Sequence, residues 1–228
     1  NIVVKNTKTS DRRMKPKAPF TTASLQQTAY STLGFSVRQT SSIAQRLYQG
    51  MQLGGDNIVG LISYMRTDST TLSKDCLKDI DGYLSKKHPQ FKSEDERKYS
   101  KKVKNAQEAH EAIRPTSIDN TPEKVKQYLE DQEYKLYDLI WKRTVASQMT
   151  DAVYNQVTLE FDLSDKYEFR YSGSFLKENG FKEIYDLSDN DEKDKINKKI
   201  LEDIKTGDEL KIKSINLEQK FTQPPPRY

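Results

Sequence analysis

The chain has 228 residues, enough for one large domain or two modest ones. Charged residues make up 32% and hydrophobic ones 34%, yet 13 Tyr, 8 Phe and 1 Trp are too many aromatics for a disordered chain. No apolar run approaches the ~20 residues of a membrane helix, and the single cysteine, Cys76, excludes an internal disulfide scaffold or a multi-cysteine zinc site. The opening NIVVKNTKTS lacks the regions of a signal peptide, so a soluble cytoplasmic protein is expected. The net charge of +4 conceals an asymmetry: residues 1–50 sum to +7, residues 51–150 to +1 and residues 151–228 to −4. A positive N-terminal end can steer a polyanion, or be a solvated basic arm.

In chain order, Ile2–Val4 reads as a strand, and Pro16 and Pro19 mark a boundary after the basic stretch beginning at Asp11. From Thr21 the period becomes helical. Leu25, Ala29 and Leu33 share a face, with Thr21 or Thr22 as cap and Gly34 as stop. Ser36 caps a second helix carrying Thr40, Ile43, Ala44 and Leu47 and closed by Gly50. Together these two resemble a helix-turn-helix. Ile58–Tyr64 is a short apolar run, ambiguous between a strand and a buried turn. After it comes a helix with Leu72, Cys76, Ile80 and Leu84 on one face, capped by Ser69 or Thr70. Cys76 there reads as a small core residue. Residues 86–105 are Lys-rich and aperiodic, and read as a mobile loop. Thr121-Pro122 opens a further helical stretch, with an apolar stripe from Val125 to Val145 across two helices.

After Met149 the period is two. Val153, Asn155, Val157, Leu159 and Phe161 alternate, then Tyr167, Phe169 and Tyr171, as antiparallel strands joined at Ser164-Asp165-Lys166. Residues 186–199 form a charged linker, and Ile200 to Leu217 offers at least one more strand with a turn at Thr206-Gly207-Asp208. Helical sequence thus interrupts β-type sequence on both sides. The expected fold is α+β: a helical domain over 21–150 inserted into an antiparallel β domain formed by 1–20 and 151–228.

Two constellations could carry chemistry. In Tyr64-Met-Arg-Thr-Asp-Ser69, a phenol of ordinary pKa near ~10 becomes a nucleophile if positive charge activates it. Arg66 can grip phosphate oxygens, Asp68 can orient that guanidinium, and Thr67 or Ser69 can donate to phosphate or cap a helix. The plain alternative is a buried Tyr ending an apolar strand. In Ala109-His-Glu-Ala-Ile-Arg-Pro-Thr116, His110 and Arg114 are four apart, a repulsive spacing on a helix unless an anion such as phosphate lies between them. A neutral His beside a surface Arg is the alternative. His88, in a Lys-rich loop, reads as a solvated bystander.

Taken together with Pro19-Phe-Thr-Thr-Ala-Ser-Leu-Gln-Gln27, Gly60-Leu-Ile-Ser63, Gln148-Met-Thr150 and Phe221-Thr-Gln-Pro-Pro-Pro-Arg227, these motifs resemble the bacterial type IA DNA topoisomerases, in family order and over nearly the whole chain. Met65, Glu111 and Arg114 favour the topoisomerase I branch, since Pro is usual at the Met65 position in the topoisomerase III branch.

The resemblance implies a helical domain within a β gate, hinged near Pro19 and Met149–Ala152. It makes Tyr64 the nucleophile that forms a 5′-phosphotyrosine, with Arg66 and His110 as catalytic phosphate-binding cations. Arg66, Thr67, Asp68, His110 and Arg114 are its implied DNA-binding residues. It implies relaxation of negative supercoils without ATP, and action on a single-stranded DNA segment as a nucleoid-associated monomer. Mg²⁺ would be held by a Toprim domain that nothing in this chain matches, and no metal ligands are expected here. The expectation is a central piece of the enzyme, inactive alone. A tyrosine recombinase or type IB topoisomerase would place its tyrosine after a His-x-x-Arg element, and here Tyr64 precedes His110-x-x-x-Arg114. A non-catalytic helix-turn-helix DNA-binding module is the remaining alternative, and it leaves both motifs unexplained.

Overall fold

Caps and stops in the sequence account for the first two helices. In the computed structural model, which describes residues 2–54, 58–99, 111–162, 168–187, 198–214, 216, 218–219 and 221–222, α1 runs Thr22–Leu33. It opens on a reciprocal Thr21–Ser24 capping box and closes at Gly34, whose φ of 70° is left-handed. α2, Val37–Gln49, is capped by the Ser36 hydroxyl and buries Thr40, Ile43, Ala44 and Leu47.

A two-stranded ribbon follows, β2 (Met51–Gln52) antiparallel to β3 (Ile58–Val59). This settles the ambiguous run: its start is a strand, and Leu61 and Ile62 beyond it are buried without belonging to one. Next are α3 (Lys74–Lys87), a 3-10 turn at Pro89–Phe91, α4 (Pro122–Val125), a 3-10 turn at Lys126–Tyr128 and α5 (Asp131–Ala146). α3 begins later than expected, at a Ser73 cap. The Thr67 and Ser69 hydroxyls instead accept from the N–H groups two residues on, closing local turns that hold 67–71 out of a helix.

The chain divides into two compact units. The larger comprises residues 12–154 and 176–190. In it α1, α2 and α5 pack together, around a core that includes Phe20, Leu25, Ile43, Leu47, Leu61, Ile80, Leu136, Ile140 and Met149. Buried aromatics satisfy their polar tips on carbonyls: Tyr137 donates to Asn120 at 2.6 Å and Trp141 to Ile118 at 3.1 Å.

Arg143 is buried on α5 without a carboxylate partner among the described residues, which the helical period gave no reason to expect. Its Nε donates to the Ala18 carbonyl at 2.7 Å and its Nη1 to the Tyr185 hydroxyl at 3.0 Å. The guanidinium lies 4.7 Å from the Phe20 ring centroid and 5.1 Å from that of Tyr185. Burial lowers its pKa, with Tyr185 opposing.

The smaller unit comprises residues 1–11, 155–175 and 191–228. Its sheet has the order β5-β4-β1-β6, with β1 Ile2–Met14, β4 Ala152–Asp162, β5 Glu168–Glu178 and β6 Glu209–Leu210. β6 pairs antiparallel to the start of β1, Ile2 opposite Leu210. Val4, Val157, Leu159, Phe161, Phe175 and Leu201 form the core of this unit, and the alternation along β4 matches the inward set from Val157 onward.

Three expectations change here. β1 is longer than Ile2–Val4, because its later residues are exposed and carry no apolar pattern to read. Phe169 and Tyr171 alternate as expected but face solvent, and Phe175 is the buried residue of β5. Residues 198–203 are helical where a strand was expected; the turn at Thr206-Gly207 and the strand after it are present. The joining turn at 164–166, Tyr167 and most of the charged linker lie outside the described residues.

Candidate active site

Three sequence segments meet around Tyr64, and main-chain hydrogen bonds bring them together. Phe20 pairs with Ile113, and Ile62 with Pro115. Ser63 N–H donates to the Arg114 carbonyl at 2.8 Å, Ile113 N–H to the Phe20 carbonyl at 2.8 Å and Thr116 N–H to the Leu61 carbonyl at 3.0 Å. The Ser63 hydroxyl adds two bonds, donating to the Ala112 carbonyl at 2.7 Å and accepting from Arg114 N–H at 3.0 Å. Gly60 lets this segment approach α2: a Cβ there would sit 2.7 Å from the Tyr48 carbonyl oxygen.

Burial then sorts the side chains. Leu61, Ile62 and Met65 point into the core, leaving Tyr64 and Arg66 outside. Tyr64 is 45% exposed, and its ring meets the edge of Tyr48 at 5.4 Å between centroids, with 64° between planes. It is neither a core residue nor part of a strand.

On the far side, Thr22 at the start of α1 closes the turn over Arg66. Its N–H donates to the Thr67 carbonyl at 2.9 Å and its hydroxyl to the Met65 carbonyl at 2.7 Å. That hydroxyl also accepts from Thr67 N–H at 2.9 Å. Arg66 itself is exposed and makes no hydrogen bond or ion pair among the described residues. It lines an open cleft of about 450 Å³ with Thr21, Thr22, Ala23, Thr67 and Asp68, at the positive end of α1. A cation with no such partner can receive an anion without first breaking an internal salt bridge.

The other candidates divide. Thr67 is half-buried, its hydroxyl engaged with Ser69 N–H, and Asp68 is exposed on the cleft wall. Arg114 is 18% exposed, and its fork has partners within the chain. Nε donates to Glu111 at 2.8 Å, Nη1 to the Pro115 carbonyl at 3.0 Å, and Nη2 lies 2.6 Å from Glu111. Its Nη2 also reaches the Ser73 hydroxyl that caps α3. His110 lies outside the described residues, although its neighbour Glu111 is held in this cluster.

Cys76 is buried, and burial pushes its thiol up to about 11, the behaviour of a core residue. Among the described residues no group of three His, Cys, Asp or Glu could hold a metal ion. Sequence reasoning missed Thr22 and Ser63 as tethers. The only signal was their place inside the two motifs, beside Phe20 and Tyr64.

Exposed Tyr64 and Arg66 thus stand on an α+β scaffold in which segments far apart in sequence are tied together by main-chain hydrogen bonds. Comparison with known proteins agrees with the resemblance of the motifs. The family model described as DNA topoisomerase matches residues 1–228, and the chain belongs to that family. It is 44% identical over 222 residues to DNA topoisomerase 1 of Xylella fastidiosa strain Temecula1, covering 96% of this chain and 27% of that protein. It is also 44% identical over 230 residues to DNA topoisomerase 1 of Rickettsia felis, covering 100% of this chain and 29% of the relative. Among solved structures it is similar to full-length topoisomerase I from Thermotoga maritima, with a TM-score of 0.70, 36% identity, and coverage of 83% of this chain and 30% of that one. The chain thus spans less than a third of the length of these relatives.

Proposed function

We propose that this chain carries the strand-cleaving tyrosine of a type IA DNA topoisomerase. The observation that carries the reading is the pairing of exposed Tyr64 with unpaired Arg66, in a family whose members are named DNA topoisomerase. The Tyr64 oxygen attacks a backbone phosphorus of one DNA strand. A phosphotyrosine bond to the 5′ phosphate forms as the bond to the 3′ oxygen breaks. The phenol loses its proton, and the departing 3′ oxygen gains one. A phosphoester is exchanged for a phosphoester, so religation is the reverse step and needs no ATP.

Negative charge gathers on the phosphate in the transition state, and Arg66 stands free to stabilise it. His110 is proposed as the second cation, with Thr67 and Asp68 lining the approach of the strand. Arg114 holds the segment that follows His110. On this reading the ligands of Mg²⁺ belong to a separate domain. Strand passage through the break relaxes negative supercoils. The substrate is a single-stranded segment of the chromosome, acted on by a monomer at the cytoplasmic nucleoid; no described helix is long and apolar enough to cross a membrane.

The test is Tyr64→Phe in the full-length protein containing this chain. The covalent adduct with a labelled single-stranded oligonucleotide should vanish while binding persists. An adduct formed by Tyr64→Phe excludes Tyr64 as nucleophile.

A further inference from the structure

We propose that Thr22 is a positioning residue for strand cleavage, its hydroxyl fixing the turn that carries Arg66, two residues after Tyr64. The inference rests on the cleavage reading above. Thr22 is far in sequence from the tyrosine motif, yet its hydroxyl bonds to nothing on its own helix. It accepts from Thr67 N–H at 2.9 Å and donates its one proton to the Met65 carbonyl at 2.7 Å. The Thr67 carbonyl, 3.1 Å from the same oxygen, is served by Thr22 N–H at 2.9 Å. The backbone on both sides of Arg66 is thus pinned to one side chain.

That role is separable from capping. The N-cap duty of α1 falls on Thr21, whose hydroxyl accepts from Ser24 N–H while Thr21 N–H donates to the Ser24 hydroxyl at 2.9 Å. Removing the Thr22 hydroxyl leaves this capping box whole. α1 is itself anchored by buried Leu25 and Ala29, so Thr22 is a fixed point rather than a passenger. Met65, buried beside it, anchors the turn from beneath. With the backbone held at Met65 and Thr67, the guanidinium of Arg66 searches only its own rotamers. Without the hydroxyl, the Met65 carbonyl and Thr67 N–H lose a shared partner, and the turn can open toward water.

Misplacing a catalytic cation by about 1 Å costs on the order of 10²-fold in rate. Thr22→Val keeps the shape of the side chain and removes the hydroxyl; Thr22→Ser keeps the hydroxyl. In the full-length protein, with a labelled single-stranded oligonucleotide as probe, Thr22→Val should slow single-turnover cleavage by about 10–100-fold. Affinity for the oligonucleotide should stay within about threefold of the unsubstituted protein, because phosphate contacts elsewhere are untouched. Thr22→Ser should restore most of the rate. Cleavage by Thr22→Val at the unsubstituted rate overturns the proposal. So does a loss of rate matched by an equal loss of affinity, or a failure of Thr22→Ser to rescue. Tyr64→Phe run alongside separates the two ideas: if it abolishes the adduct while Thr22→Val cleaves normally, only the role of Thr22 is lost.

Discussion

Tyr64 and Cys76 show opposite treatments of a nucleophilic side chain. The phenol is held at the surface by the burial of Ile62 and Met65 on either side of it. The thiol is sealed under α3, where burial raises its pKa to about 11. At pH 8 the thiolate is then about one thousandth of the population, and only thiolate reacts. A thiol-specific reagent should label Cys76 slowly in the folded protein and rapidly in guanidinium. Labelling of the native state within tenfold of the denatured rate would contradict a sealed site. The core role of Cys76 was legible because Leu72, Cys76, Ile80 and Leu84 recur at a fixed spacing. Arg143 was not legible, since nothing in a helical pattern announces that a cation will lie between Phe20 and Tyr185. Nor was the self-pairing of Arg114, which depends on where the fold carries Ser73 and Glu111.

Among the elements, boundaries were readable where a hydroxyl residue and a glycine flank the helical period. Thr21 and Gly34 bracket α1, and Ser36 and Gly50 bracket α2, as their placement in the sequence implies. α3 was expected to be capped by Ser69 or Thr70, and hydrogen bonds within 67–71 keep that stretch out of the helix, which starts at a Ser73 cap. Ser73 therefore carries two loads, accepting from Cys76 N–H and lying within reach of Arg114. Ser73→Ala should destabilise the protein by about 1 kcal/mol, measurable by thermal or urea unfolding. A loss below about 0.3 kcal/mol would place the cap elsewhere. In β5, period-two alternation was correct, and burial changes along the strand rather than between its two faces. Phe169 and Tyr171 are exposed and Phe175 is buried.

Over the whole molecule, the charge asymmetry gains a location. Arg13, Lys15 and Lys17 are exposed ahead of Phe20, whose backbone is bonded into the Tyr64 cluster. If they meet phosphates, each contact lowers log K by about 0.7 per log unit of salt for a single strand. Replacing all three by Gln in the full-length protein should flatten the salt dependence of oligonucleotide binding by about 2 in slope. An unchanged slope would remove these residues from the DNA path.

The convergence around Tyr64 also bears on how such a protein can vary by descent. Most of the ties are main chain to main chain, from Thr22, Ser63, Ala112, Ile113 and Thr116 to carbonyls elsewhere in the chain. A main-chain tie is indifferent to the side chain at its donor, so apart from the tethering hydroxyls of Thr22 and Ser63 the exposed side chains here can be repainted over generations while the scaffold stays put. Proline is barred from all five positions, having no N–H to give. Heritable change is thereby channelled into what the face displays, leaving untouched where it displays it.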